Sequence, residues 1–225
     1  MAEVTRNALR GALTLALVVA VGFGILLGLR ALGAERIAAH ERDAARRALA
    51  ALLPAGVDND VEADRVAVTA PAWLGTAAPM AVRRARGAGA LRGLLVEAVA
   101  PDGYSGDIRL LVGVDAAGTV LGVRVLEHRE TPGLGDAIDG ARSGWITQFA
   151  GRSLGDPAPS RWRVEREGGD FDQLAGATVS ARAVIDAVRR TLQFIEAHGA
   201  ALAAAEPGER LHFGDAPPPA DGGMP

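Results

Sequence analysis

The residues best suited to chemistry stand in one run, Asp172-Gln173-Leu174-Ala175-Gly176-Ala177-Thr178-Val179-Ser180, directly ahead of a long helical pattern. Gly176 permits a tight backbone turn, and Ala177 crowds little. Thr178 then falls at a helix N-terminus, where unpaired N–H groups and the helix dipole favour an anion. A phosphate joined to the Thr178 hydroxyl would be stabilised there. The plainer alternative is that Thr178 or Ser180 is only an N-cap whose oxygen satisfies one of those N–H groups. Spacing alone leaves both open.

A second run is Glu130-Thr131-Pro132-Gly133-Leu134-Gly135-Asp136. Proline and two glycines make a rigid loop whose backbone can approach a flat ligand closely, and Leu134 can offer an apolar face to a ring. It follows no βαβ crossover, so it is not a dinucleotide fingerprint, and an ordinary turn is the alternative reading. His128 lies beside Glu127 and Glu130, as acid–base work would ask. It has no paired nucleophile and reads as a surface or strand-end histidine. Trp145 and Trp162 read as core or interfacial anchors. Asp58, Asp60 and Glu62 lack the remaining ligands of a calcium loop and read as a helix-to-strand turn.

Composition narrows the chemistry. The chain of 225 residues carries a net charge of −3, which argues against nucleic acid as a partner. All 24 basic residues are Arg, so no lysine Schiff base and no Walker lysine is available. The absence of Cys excludes thiolate metal sites, Cys-ligated iron–sulfur clusters, disulfides and Cys nucleophiles. The four His are scattered without ligand spacing, so no metal site is expected.

The elements that must position these runs follow from periodicity. Gly11 to Leu29 is a run of 19 residues without charge. At helical rise it spans roughly 28 Å, the thickness of a bilayer core. An uncleaved membrane anchor is expected, with a cleaved signal peptide as its rival. Arginines flank the run on both sides, so charge leaves the orientation open. Glu35–Leu53 reads as an amphipathic helix stopped by Pro54. Short strands are predicted at Arg65–Thr69, Met80–Arg84, Leu94–Ala100, Ile108–Asp115 and Val120–Leu126, the last two joined by a hairpin at Asp115–Gly118. A short helix is predicted around Trp145–Ala150, and a strand at Trp162–Arg166. Val184, Ile185, Val188, Leu192 and Ile195 form one stripe of a helix over Val179–His198 that Gly199 can end. The tail has Pro and Gly clusters and no periodicity, so its end is expected to be disordered. The soluble part is therefore expected to be α+β with a mostly antiparallel sheet.

Several of these segments, in this order, resemble one family. They are the apolar span, LLPAGVDND at Leu52–Asp60, PDGYSGDIRLLVGVD at Pro101–Asp115, EHRETPGLGDAID at Glu127–Asp139, W-x-x-x-F at Trp145–Phe149 and D-x-x-A-G-A-T at Asp172–Thr178. The chain is similar to the G subunits of Rnf (also Rsx) electron-transport complexes, which carry an FMN-binding domain. The resemblance implies FMN joined through its phosphate to Thr178 by a flavin transferase that uses FAD as donor. It also implies a cofactor site including Gly176, Ala177, Asp172, Glu130, Thr131, Gly133, Leu134 and Gly135. One departure is Ala175, where such motifs often carry Ser or Thr.

The implied layout is a cytoplasmic N-terminus at 1–10, a transmembrane anchor at 11–30 and a juxtamembrane helix and turn at 31–60. An FMN-binding domain at 61–200 and a flexible tail at 201–225 complete it. The implied setting is the bacterial inner membrane, with a single span, a periplasmic C-terminal domain and the other Rnf subunits as partners. The implied role is electron relay within a complex that couples ferredoxin–NAD redox chemistry to ion movement, with no catalytic residue of its own. Two other readings compete. One is the C-type flavin subunit of the sodium-translocating NADH:quinone reductase, and the other is a bitopic interaction module without cofactor.

Overall fold

A computed structural model describes residues 6, 11–13, 15–24, 28 and 49–214. The chain divides into two units, 1–47 and 48–225. In the first, residues 15–24 are helical, and Leu15, Leu17, Val18, Val19, Val21 and Phe23 are all exposed. Among the described residues no helix is long and apolar enough to cross a membrane. Part of the span expected over 11–30 lies outside the described residues, as does most of the helix expected over Glu35–Leu53.

The second unit is built on a six-stranded sheet. Its strands are β1 (Arg65–Thr69), β2 (Met80–Gly87), β3 (Ala90–Ala100), β4 (Ile108–Asp115), β5 (Val120–Glu127) and β6 (Arg210–His212). Their order is β5-β4-β3-β2-β1-β6, antiparallel throughout except for the parallel β1–β6 pair. The expected α+β fold with a mostly antiparallel sheet is present. The β4–β5 hairpin turns where Asp115 Oδ1 accepts from the N–H groups of Ala117 and Thr119, an Asx turn that satisfies the tight connection.

One face of the sheet packs on the long helix α2 (Thr178–Ala204); a single turn, α1 (Pro71–Leu74), precedes it in the chain. Val66, Val68, Val82, Leu94, Val96, Leu110, Val112 and Val123 share one buried cluster with Val184, Ile185, Val188 and Leu192 of α2. The strands alternate because successive side chains point to opposite faces, and the helix presents a single apolar stripe. Ile195, the last residue of the predicted stripe, packs against this cluster while partly buried. On the other face Leu52 and Val61 cover Ala85, Leu95 and Leu111, so the core includes Leu52 of the LLPAGVDND segment and Val61 just beyond it.

Three expectations need correction. Trp162–Arg166 is not a strand. Trp162 and Val164 are buried in alternation, which mimics a strand, but the backbone bonds locally. Trp162 N–H bonds to Pro159 O, and Glu165 N–H to Phe171 O, around two 3-10 turns at Pro159–Arg161 and Glu165–Glu167. The helix does not end at Gly199 but continues to Ala204. Its last carbonyls find guanidinium donors from the sheet: Arg84 donates to Leu202 O and Ala205 O, and Arg86 to Ala203 O. Within the tail expected to be flexible, the helix runs on to Ala204 and Arg210–His212 pairs with β1 at the edge of the sheet, while 215–225 lie outside the described residues.

Candidate functional site

The two motifs meet at the N-terminus of α2. Leu174–Ala177 forms a turn closed by Ala177 N–H to Leu174 O, with Gly176 at φ +76 in its third position. That position needs positive φ, which only glycine takes without strain. A Cβ on Gly176 would lie 3.1 Å from Leu134 Cδ2, so the glycine also lets Leu134 seat on the turn. The GLG loop and the GAT turn thus touch through the leucine and the glycine that define them.

The helix starts without a side-chain cap. Ala177 occupies the N-cap position, and Ala181 N–H to Ala177 O is the first helical bond. The reading of Thr178 or Ser180 as an N-cap is therefore corrected. Thr178 is half-buried at the first helical position, and its hydroxyl makes no hydrogen bond among the described residues. Ser180 lines the same cavity as Thr178, but its hydroxyl is engaged. Its Oγ donates to Glu130 Oε2 at 2.6 Å, and both side chains are buried. Glu130 Oε1 accepts from Ser105 N–H at 3.1 Å. One carboxylate thus ties the PDGYSG turn, the ETPGLG loop and the helix together. Gly135 makes this possible: a Cβ there would lie 2.7 Å from Glu130 Oε2 and 3.1 Å from Ser180 Oγ.

These residues line an open cavity of about 610 Å³. Its walls carry Glu130, Thr131, Leu134, Gly135, Gly176, Ala177 and Thr178, seven of the residues singled out from sequence. Leu134 and Val179 are 47% and 44% exposed, large values for apolar side chains beside a cavity. Gly133 belongs to the same loop at φ +79, where its N–H donates to Asp136 Oδ1. Asp172 is not in the wall. Its backbone is held from behind by the Trp145–Phe149 turn: Trp145 Nε1–H donates to Asp172 O at 2.6 Å, and Asp172 N–H donates to Gln148 Oε1 at 2.8 Å.

Sequence reasoning did not single out three residues here. Tyr104 is in the wall and highly exposed, and its place inside the PDGYSG segment was the one available signal. Arg166 is the cation of the wall and makes no ion pair among the described residues; nothing in its neighbourhood marked it. Gln148 has no motif of its own. Nearby, hydrogen bonding from the Arg161 guanidinium holds the Asp170 carboxyl below its ordinary value. His128 is occupied locally, its Nδ1 accepting from Glu130 N–H at 3.2 Å. Asp58 and Asp60 accept backbone N–H groups of Ala88, Glu62 and Ala63, and Glu62 pairs with Arg83. Trp145 and Trp162 are buried with Phe149 and Phe171 in one aromatic group, ring centroids 4.9 to 6.4 Å apart.

The arrangement gathers around one cavity a hydroxyl unengaged among the described residues, the N–H groups of a helix start, a guanidinium and exposed apolar side chains. Such a site suits a ligand that joins an anionic group to a flat apolar body.

Comparison with known proteins agrees with that geometry. An FMN-binding domain model matches residues 103–193, which hold both motifs. The chain is 48% identical over 206 residues to the G subunit of the ion-translocating oxidoreductase complex of Pseudomonas aeruginosa, covering 91% of this chain and 96% of that protein. It is 45% identical over 167 residues to the protein of the same name from Shewanella amazonensis, covering 74% and 78%. The counterpart from Vibrio vulnificus matches at 38% over 193 residues, covering 85% and 92%. Similarity of this depth along nearly the whole of a relative shows the family, and the chain belongs to the G subunits of ion-translocating oxidoreductase complexes.

Proposed function

We propose that this chain is the electron-carrier subunit of a membrane-bound Rnf-type complex and holds FMN through a phosphoester to Thr178. The observation that carries this reading is the hydroxyl of Thr178. Among the described residues it has no hydrogen-bond partner, and it stands at an uncapped helix start that opens on the cavity. The residues present fit FMN. The N–H groups of Thr178, Val179 and Ser180, with Arg166, suit the phosphate charge. Leu134, Val179 and Tyr104 suit the faces and edge of a flat ring. Gly135 and Gly176 let the backbone come close, and Glu130 fixes the two loops against the helix.

Attachment is a group transfer made by a flavin transferase. Thr178 Oγ1 bonds to the phosphorus on the riboflavin side of FAD. The P–O bond to the second phosphate breaks, AMP leaves, and the hydroxyl proton passes to a base of the transferase. When bound, FMN supplies reversible electron transfer, and the chain supplies orientation and polarity. A covalent link prevents loss of a carrier that must persist through many turnovers. The anchor segment 11–30, with its apolar run to Leu29, holds the subunit in the bacterial inner membrane, with the flavin domain on the periplasmic side beside the other subunits. The names of the relatives, subunits of an ion-translocating oxidoreductase complex, support a place beside other subunits.

The test is the intact mass and visible spectrum of the full chain made together with the flavin transferase. A yellow protein heavier by one FMN less water is expected. A colourless chain of unchanged mass overturns the reading. A reporter fused to the C-terminus tests the topology, and cytoplasmic reporter activity overturns it.

A further inference from the structure

The acceptor loop is gripped at one residue by two side chains from another part of the chain. Trp145 Nε1–H donates to the carbonyl of Asp172, and Gln148 Oε1 accepts the N–H of Asp172. Both backbone polar groups of Asp172 are therefore used by one 3-10 turn, Trp145–Phe149. That turn is itself rooted in the core, with Trp145, Ile146 and Phe149 buried. Phe171, immediately before Asp172, is fully buried against Phe149 and Trp162. The next fixed point is the Leu174–Ala177 turn, closed by its own hydrogen bond. The orientation of Gln148 has a cost that its bond to Asp172 explains. Its Nε2 is buried with no partner among the described residues. An unpaired buried amide is costly, so the carboxamide is held by what its oxygen accepts.

We propose that Trp145 and Gln148 are positioning residues for flavin attachment: they clamp the Asp172 peptide so that the loop presents the Thr178 hydroxyl in one geometry to the transferase. The inference rests on Thr178 being the acceptor. The clamp acts on the step in which Thr178 Oγ1 bonds to phosphorus as AMP leaves, and it touches none of the reacting atoms. An acceptor loop that samples many conformations is competent only part of the time, and its apparent affinity falls by that fraction. The clamp removes that loss before the transferase arrives. It also explains why W-x-x-x-F and D-x-x-A-G-A-T occur together in this chain although 22 residues separate Phe149 from Asp172.

The experiment measures initial rates and end points of labelling of the full chain by flavin transferase with FAD, alongside thermal melts. Gln148→Leu removes the acceptor, Trp145→Phe removes the donor while keeping a ring, and Gln148→Glu keeps an acceptor oxygen. Gln148→Leu and Trp145→Phe should each label about tenfold more slowly yet still reach one flavin per chain, whereas Gln148→Glu should stay within about twofold of the parent. Hydrogen exchange in a peptide covering 172–177 should quicken in the two slow variants alone. A misfolded fraction would lower the end point instead, and that result overturns the clamp. Labelling at the parent rate in either Gln148→Leu or Trp145→Phe also overturns it, as does Gln148→Glu labelling as slowly as Gln148→Leu. If Gln148→Leu does not fold, Trp145→Phe and Gln148→Glu decide by the same criteria. Thr178→Val separates the clamp from the acceptor assignment: if it is labelled, the acceptor assignment fails; if it is blank, the clamp variants are judged on their own rates.

Discussion

Ser180 and Glu130, 50 residues apart, are joined by a 2.6 Å hydrogen bond between two buried side chains. The serine donates and the carboxylate accepts, so the Ser180 hydroxyl is already engaged in the scaffold of the cavity wall. Ser180→Ala removes a donor from a buried carboxylate and should cost about 1–3 kcal/mol of stability. Equilibrium unfolding in urea measures the loss. Flavin should remain attached, because Thr178 is untouched.

Thr178→Val should behave in the opposite way. Thr178 makes no capping bond, so stability should change by less than about 0.5 kcal/mol. Flavin fluorescence on a denaturing gel should vanish, because valine has no oxygen to bond to phosphorus. Thr178→Ser keeps a hydroxyl and should retain partial labelling. Flavin that survives denaturation in Thr178→Val would move the attachment elsewhere.

Arg84 is almost fully buried, pairs with Asp64 and donates to the carbonyls of Leu202 and Ala205. Arg84→Met should cost about 3 kcal/mol or more, because it strips one guanidinium from Asp64 and uncovers the last turn of α2. Hydrogen exchange at Leu202–Ala205 should accelerate more than at Val184–Val188. Uniform acceleration would show that the arginine supports the whole domain and not the helix end.

His198 packs edge-on against Trp73 and tilted against Phe213, at 5.6 and 4.2 Å between ring centroids. Burial holds its pKa below the ordinary 6.5. The unfolded chain then binds more protons than the folded one in the window just below pH 6.5, so this residue makes stability fall as pH drops through that window. Melting temperatures of the parent and His198→Phe, compared between about pH 7.5 and 5.5, should show a smaller decline in the variant. Equal slopes would remove His198 as a contributor.

The sequence alone determined the parts whose signals are local. Alternating Val and Leu runs marked five strands, and the stripe from Val184 to Ile195 marked the long helix, because burial on one face imposes those periods. Gly176 was visible as a tight-turn residue and Gly135 as part of a loop whose backbone can approach a ligand closely. Family likeness in ordered segments pointed to Thr178. The tertiary structure decided what depends on partners distant in sequence. Helix α2 runs past Gly199 because Arg84 and Arg86 reach its end from β2. Arg210–His212 becomes a strand because the edge of β1 offers it unpaired N–H and C=O groups. Trp162–Arg166 fails to become one because its backbone bonds are consumed locally. Ser180 is part of the scaffold, and Gln148 grips Asp172, through contacts spanning 50 and 24 residues. No short window along the chain contains both halves of such a pair, so periodicity and capping rules cannot register them; only the folded sheet and helix bring them into reach.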